Sequence, residues 1–324
     1  MRVSIKTVFI SLPFVLASAI ALFAQTESPN TPYERIPANT AKHFLYPYYL
    51  YIPKELKTPE AQKAVHTLLV IPNNTGKISD DFSVHEADAL RRMDQVPSMV
   101  GGLEVAVLMP IFPRSERDWK IYTHGLDRDA LLTDLPEYRR FDLQLLAMID
   151  DARARLARDH QLKFERQVLL NGFSAQAMFA NRFTFLHPDR VKAAAIGAPG
   201  GWPIAPAAMY HDHSLRYPIG VSDFREITGR DVDMRELRRV PLLIFMGDRD
   251  ENDAVPYRDA YENEDREVII PLFGLTPLER WQAAKNFYSE AGMNAQFKLY
   301  PGVGHTVTNE MREDVRAFLH RYAD

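Results

Sequence analysis

A segment near the middle of the chain limits the possible folds more than any other. Gln167 and the aliphatic run 168–170 lead through Asn171 into Gly172-Phe173-Ser174-Ala175, and a helical pattern follows at once. This order predicts a strand, a sharp turn and a helix, with the serine hydroxyl exposed at the turn. The segment therefore indicates a nucleophilic serine. The alternative is that Ser174 only caps the helix, since serine is a favoured N-cap residue.

Strands and helices are predicted to alternate along the chain. Helical periodicity occupies 83–93, 138–160, 278–291 and 309–322, and aliphatic runs predict strands at 65–71, 103–109, 191–196, 241–246 and 296–300. Such alternation is typical of an α/β fold, with a mostly parallel twisted sheet and helices on both faces. The aromatic run 44–52 predicts a strand or hairpin arm, and the proline-rich segment 29–41 an irregular lead-in.

The amino terminus has the composition of a targeting segment. Two basic residues, Arg2 and Lys6, precede an apolar stretch interrupted by Pro13, and small residues lead up to Ala24. Residues 1–24 are therefore predicted to be a cleaved signal peptide, with export to the periplasm or medium and no stable membrane insertion afterwards. Residues 25–324 are predicted to form a single domain, in which 202–239 has few periodic signals and is interpreted as a small cap-like insertion.

Composition and missing motifs exclude several classes of function. The formal charge of −4 comes without a basic stripe, so no nucleic-acid partner is expected. The chain has no cysteine, which excludes disulfides and thiolate metal sites. His211-Asp212-His213 lacks a spaced third ligand, and Asp248-Xaa-Asp250-Xaa-Asn252 lacks the glycine of a calcium loop. No metal and no cofactor are therefore expected.

Carboxylates and a histidine follow the last two predicted strands. The strand 241–246 leads into a loop with Asp248, Asp250 and Asp253, and the strand 296–300 leads through two glycines to His305. A serine needs an adjacent base, and the base needs a carboxylate that orients it. The chain order Ser, Asp, His therefore suggests a catalytic triad in which His305 is the general base.

These motifs resemble the α/β-hydrolase superfamily. Within it, Gly172-Phe173-Ser174-Ala175, Ala180-Asn181-Arg182 and Leu186-His187-Pro188-Asp189-Arg190 are similar to the secreted polyhydroxyalkanoate depolymerase and feruloyl-esterase-like branch. The resemblance implies Ser174 as nucleophile and places the acid three residues after Gly247, at Asp250, with Asp248 and Asp253 as alternatives. The family usually has glycine two residues after the serine, where this chain has Gln176. That side chain either crowds the helix against the strand or hydrogen-bonds a substrate.

Further residues are expected around the reacting carbonyl. The backbone N–H of Ala175 is the expected first oxyanion donor, since it follows the nucleophile. The second donor is expected from Asn73 or Asn74, through backbone or side chain; the alternative is a plain turn. His124 and Trp202 lie in segments that should overhang the carboxyl edge of the sheet, where they would contact substrate or, alternatively, anchor loops.

The sequence as a whole predicts an exported, cofactor-free serine hydrolase that cleaves small or polymeric carboxylic esters. Two alternatives stay open. The same triad also cleaves amides, so the chain would then be a peptidase or amidase. A non-catalytic binding protein on the same fold is the other alternative, and Gln176 is the feature that favours it. The sequence does not determine the oligomeric state.

Overall fold

Eight strands of the described part of the chain form a central sheet. In the computed structural model of the protein, the described residues are 33–323. The sheet contains, in chain order, β1 (Tyr33–Ile36), β2 (Tyr48–Tyr51), β3 (Val65–Val70), β4 (Val107–Pro110), β5 (Lys163–Phe173), β6 (Val191–Gly197), β9 (Leu242–Gly247) and β10 (Ala295–Tyr300). The two strands β7 (Met209–Tyr210) and β8 (His213–Ser214) form a separate antiparallel hairpin.

Most of the sheet is parallel. Its spatial order is β1-β2-β4-β3-β5-β6-β9-β10, and only the pairs β1–β2 and β2–β4 are antiparallel. Strands β3, β5, β6, β9 and β10 run in the same direction, so their carboxyl ends meet at one edge of the sheet. The loops that follow these five strands therefore lie near one another.

Helices cover both faces of the sheet. In chain order they are α1 (Phe82–Met93), α2 (Val96–Met99), α3 (Arg128–Leu132), α4 (Phe141–His160), α5 (Ala175–Leu186), α6 (Phe224–Thr228), α7 (Met234–Leu237), α8 (Asn263–Phe273), α9 (Pro277–Glu290) and α10 (Asn309–His320). Apolar side chains of α1, α2 and α10 pack on one face, and those of α4, α5 and α9 on the other.

Alternation of side chains along each strand produces the two cores. In β3, Leu68 and Val70 face the core beneath α4 and α5, whereas Leu69 faces the core beneath α1 and α10. All three side chains are fully buried. A parallel sheet covered on both faces needs such continuous apolar strands, which is why these runs are readable in the sequence.

The structure confirms the predicted fold class and corrects several elements. The segment 29–41 is not wholly irregular, because Tyr33–Ile36 forms β1 and pairs with β2. The strand predicted at 103–109 begins only at Val107. Helix α8 was not predicted, since it contains Pro271 and its apolar residues form no regular stripe. The predicted insertion 202–239 contains the β7–β8 hairpin and the short helices α6 and α7.

The predicted signal peptide, residues 1–24, lies outside the described residues. Within 33–323 there is no helix long and apolar enough to cross a membrane. The same part of the chain contains no group of three or more histidine, aspartate or glutamate side chains arranged to hold a metal ion.

Candidate active site

Ser174 occupies the turn between β5 and α5. Its backbone angles are φ 62° and ψ −127°, and its N–H donates to Gly197 O at 2.9 Å. A residue with a side chain adopts such angles at a cost of about 1–3 kcal/mol, which the surrounding structure must offset. Ser174 holds the N-cap position of α5, but its hydroxyl makes no capping hydrogen bond. The alternative that Ser174 only caps the helix requires such a hydrogen bond, so the structure does not support it.

Gly172 allows α5 to pack directly against β5. A Cβ atom at this position would lie 2.6 Å from Ala177 N and closer still to the backbone carbon of Gln176. Real Cβ atoms do not approach backbone atoms so closely, so a larger residue would push the helix away from the strand. The glycine therefore determines where the first turn of α5, and the serine that precedes it, sits above the sheet.

Asp250 and His305 meet at the carboxyl edge of the sheet. The first follows β9 and the second follows β10, its parallel neighbour. His305 Nδ1 lies 3.0 Å and 2.9 Å from the two carboxylate oxygens of Asp250, which is buried and also accepts from Asn252 N at 2.9 Å. Because the carboxylate accepts at Nδ1, that nitrogen carries the proton and Nε2 is left as the acceptor.

The imidazole of His305 lies beside the serine turn. Its ring centroid is 4.8 Å from that of Phe173, the residue before Ser174. The imidazole side chain keeps 29% of its surface exposed, whereas Asp250 keeps 1%. The arrangement thus places a buried, oriented carboxylate behind a partly exposed base at the elbow.

The other two candidate acids have different partners. Asp248 accepts from Gly302 N at 2.7 Å, across the loop that leads to His305. Asp253 pairs with Arg280, whose Nη1 lies 2.9 Å from each of its oxygens. Of the three carboxylates proposed from the sequence, Asp250 is the one in contact with the imidazole.

Several backbone N–H groups are free to receive a negative oxygen. Within residues 33–323, no hydrogen-bond acceptor is assigned to the N–H of Ala175, Asn73 or Asn74. Ala175 opens α5, where the first N–H groups of a helix have no partner in the helix and carry its positive dipole end. The two asparagine side-chain oxygens are occupied, by Phe112 N at 3.1 Å and Thr75 N at 2.8 Å. These contacts occupy only acceptors, so the backbone N–H groups and the side-chain Nδ2 groups of Asn73 and Asn74 both remain candidates for oxyanion donors.

His124 supports the loop after β3. Its Nδ1 lies 2.6 Å from Asn74 O and its Nε2 lies 2.8 Å from Phe112 O. The side chain is buried, and burial lowers its pKa to about 4, whereas the two carbonyl contacts act in the opposite direction. A neutral imidazole can donate to only one of these carbonyls. Through these contacts His124 anchors the loop after β3, which is the second of the two roles that the sequence suggests for it.

Trp202 is also buried, with 2% of its surface exposed. Its Nε1 donates to Ile219 O at 2.9 Å, and its ring stacks on Phe273 with a centroid distance of 4.6 Å. The indole thus ties the segment 202–239 to α8. Its contacts too are those of an anchor.

Gln176 takes up a contact that the sequence did not suggest. Its Nε2 donates to Pro72 O at 2.8 Å, so the side chain spans from the elbow helix to the loop after β3. The backbone of Gln176 packs against β5 in the space that Gly172 leaves, and one N–H of its side-chain amide is bonded to Pro72 O.

Arg114 is a loop support that sequence reasoning missed. It donates to Thr75 O at 3.1 Å, pairs with Asp259 at 2.6 Å and lies 4.4 Å from the ring centroid of Tyr122. Its partners are scattered along the sequence, so no local pattern signals the contact.

A cleft on the α1–α10 side of the sheet reaches the elbow. Phe173 and Phe245 are among its apolar lining residues. Asn74, in the loop after β3, and Gln176 also line it. Arg316 of α10 lines it too and donates to Ser98 O at 3.3 Å. Polar and charged side chains make up about half of the lining of the cleft, and apolar side chains the rest.

Comparison with solved structures identifies the fold. Poly(aspartic acid) hydrolase-1 from Sphingomonas sp. KT-1 superimposes with a TM-score of 0.56 at 16% identity, covering 90% of this chain and 98% of that one. LpqC, a poly(3-hydroxybutyrate) depolymerase from Bordetella parapertussis, gives 0.56 at 19% identity, covering 89% and 88%. The chain has the α/β-hydrolase fold.

A third solved structure agrees with the α/β-hydrolase fold, and two other comparisons found no match. An S-formylglutathione hydrolase from Agrobacterium tumefaciens matches with a TM-score of 0.51 at 14% identity, over 90% of this chain and 95% of that one. No protein-family model and no curated protein matches the sequence. In an α/β-hydrolase fold, ligands are expected at the carboxyl edge of the sheet, which is where Ser174, Asp250 and His305 lie.

Proposed function

We propose that the chain is an exported carboxylic ester hydrolase that acts through Ser174, His305 and Asp250. The observation that carries the proposal is the double contact of Asp250 with His305 Nδ1, beside a serine whose backbone is strained. Strain and a buried carboxylate both cost stability, and a nucleophilic site is a reason for retaining them. The structures with similar folds are described as hydrolases and a depolymerase, which agrees with this class.

The first half of the reaction is acylation. Ser174 Oγ attacks the ester carbonyl carbon while His305 Nε2 accepts the hydroxyl proton, and Asp250 stabilises the imidazolium. The carbonyl oxygen becomes an oxyanion that accepts hydrogen bonds from Ala175 N–H and from the Asn73–Asn74 backbone. The imidazolium then donates its proton to the alcohol oxygen as the C–O bond breaks, which leaves an acyl-enzyme.

The second half is hydrolysis of that intermediate. A water molecule gives a proton to His305 Nε2 and attacks the acyl carbon, through the same oxyanion contacts. Collapse returns the proton to Ser174 Oγ and releases the carboxylic acid. No cofactor is needed, because the proton moves only between side chain, substrate and water.

The substrate is proposed to be a small or polymeric ester. The apolar side chains of Phe173 and Phe245, at the end of the cleft next to the elbow, suit a hydrocarbon portion. Export is supported by the predicted signal peptide at 1–24, and no nucleic-acid partner is proposed because the charge pattern contains no basic stripe.

Covalent labelling tests the proposal. The purified protein, Ser174→Ala and the control Ser289→Ala, which removes an exposed hydroxyl on α9, are treated with a fluorophosphonate and weighed intact. We expect one adduct on the wild type and the control, and none on Ser174→Ala. Hydrolysis of matched p-nitrophenyl esters and p-nitroanilides is then compared, with preference for the esters expected. An unlabelled, folded wild type would contradict catalysis, and a preference for anilides would indicate an amidase.

A further inference from the structure

We propose that Gln176 is a positioning residue that sets the second half of the oxyanion hole, an inference that rests on the proposed function. Its side-chain amide donates to Pro72 O at 2.8 Å and so holds the loop that carries the Asn73 and Asn74 amides. Gln176 itself touches no reacting atom; it acts through that loop.

The loop backbone is held on both sides of the Asn73–Asn74 peptide. Gln176 holds the carbonyl of Pro72, and His124 lies 2.6 Å from the carbonyl of Asn74. A peptide unit is planar, so a fixed carbonyl also fixes the direction of the next N–H. The bond to Pro72 O therefore orients the Asn73 N–H, and together the two contacts restrict the Asn74 N–H between them.

The contact from Gln176 differs from the other supports of this loop in where it originates. Phe112, Arg114, Tyr122 and His124, which bind Asn73, Asn74 and Thr75, all belong to the segment 112–124. Gln176 belongs to α5 and lies two residues after the nucleophile. Its bond therefore sets the distance between the two halves of the oxyanion hole, the Ala175 N–H and the loop N–H groups.

The local sequence makes room for this role. The resemblance to α/β-hydrolases leads one to expect glycine at position 176, which has no side chain to reach the loop. In this chain the glycine on the strand, Gly172, gives the clearance, since a Cβ there would meet the backbone of Gln176 and Ala177. Gly172 thus lets the backbone of the first turn of α5 lie against β5, and from there the Gln176 side chain reaches Pro72 O.

Removal of the amide donor tests the proposal. Gln176→Met keeps the length of the side chain and deletes the N–H groups. Misplacing one oxyanion donor should lower kcat about 10- to 100-fold with little change in KM, since the loss falls on the transition state. Affinity for a boronic acid, which forms a tetrahedral serine adduct, should fall in parallel. Gln176→Lys supplies a new donor to Pro72 O and should recover part of kcat.

The matched control is Gln167→Met. Gln167 also donates to a backbone carbonyl, that of Val191 at 3.5 Å, but lies earlier in β5, away from the elbow. It should leave kcat and boronate affinity unchanged. Urea denaturation of every variant separates loss of folded protein from loss of transition-state binding.

The outcomes decide between the role and the function. Suppose that the wild type is active and Ser174→Ala is not. If Gln176→Met then keeps the wild-type kcat, with or without a change in KM, the positioning role is wrong and the proposed function stands. The role is also wrong if the loss in kcat follows the loss of folded protein. If the wild type neither labels nor hydrolyses, both are wrong.

Discussion

Asp250 and Asp253 compete for the role of triad acid, and their replacement by asparagine should have different effects. Asp250→Asn removes the carboxylate that accepts from His305 Nδ1. An amide can donate to that nitrogen instead, which favours the wrong tautomer and leaves Nε2 protonated. We expect kcat to fall by about 10⁴-fold, as for the equivalent change in a serine protease triad, while the fold is retained.

Asp253→Asn should affect stability rather than catalysis. The side chain of Arg280 is 1% exposed, and its other hydrogen bonds go to the carbonyls of Gly274 and Leu275. Asp253 is therefore its negative partner. Leaving a buried charge without its partner costs about 3–5 kcal/mol; the asparagine oxygen remains as an acceptor, so we expect the lower end, about 3 kcal/mol.

Two assays on the same preparations test this contrast. Urea denaturation followed by circular dichroism gives the free energy of unfolding, and ester hydrolysis at low temperature gives kcat per folded molecule. Asp250→Asn should be stable and inactive, and Asp253→Asn destabilised and active. If Asp253→Asn is the inactive variant and Asp250→Asn is active, the assignment of the acid is wrong. Equal stability of Asp253→Asn and wild type would refute the argument about Arg280.

Three further predictions concern the elbow and a buried carboxyl. Ser174→Gly should be about 1 kcal/mol more stable than Ser174→Ala in urea denaturation, because glycine adopts φ 62° without strain; equal stability would show that the turn stores none. Gly172→Ala should lose about 1–3 kcal/mol and label slowly with fluorophosphonate, since the added methyl meets the α5 backbone; wild-type stability and labelling would contradict this. Burial raises the pKa of Asp127 from 3.8 to about 8. Above pH 4 the unfolded state releases this proton, whereas the folded state keeps it up to about pH 8. The contribution of the protonated carboxyl to the free energy of unfolding is therefore complete below pH 4 and is lost as the pH rises towards 8. Asp127→Asn lacks this dependence, so its urea midpoint relative to wild type should rise between pH 5 and pH 8; a constant difference would refute the pKa shift.

The parts of the fold that the sequence predicts are those with strong local signals. Strand β9 is a continuous apolar run, and β3 and β6 are apolar from Leu68 and Ala193 onward, because helices bury both faces of these parts. β1 has only four residues and lies at the edge of the sheet, so it carries no such run. In α8, Pro271 and a mixed composition hide the helical period. Tertiary packing rather than local propensity determines these elements.

The candidate site divides in the same way. The turn at Ser174 and the loop to His305 are recognisable from glycines and chain order. The contact of Asp250 with His305 depends on β9 and β10 being parallel neighbours, which spacing alone does not specify. For Gln176 and His124 the sequence leaves a substrate contact and a structural role open, because it does not say which way a side chain points. Their partners, Pro72 and Asn74, lie far away along the chain.

The position of β10 at the edge of the sheet bears on when the proposed enzyme becomes active. His305 follows this last strand, whereas Ser174 follows β5, and β6 and β9 lie between them. Ser174 and His305 are far apart in sequence, so the imidazole reaches the serine turn only when β10 is in place beside β9. A chain that has already paired β3 with β5 would hold its serine turn but no base. Hydrolysis would then begin only when β10 docks beside β9, so the appearance of activity during refolding would report the docking of β10.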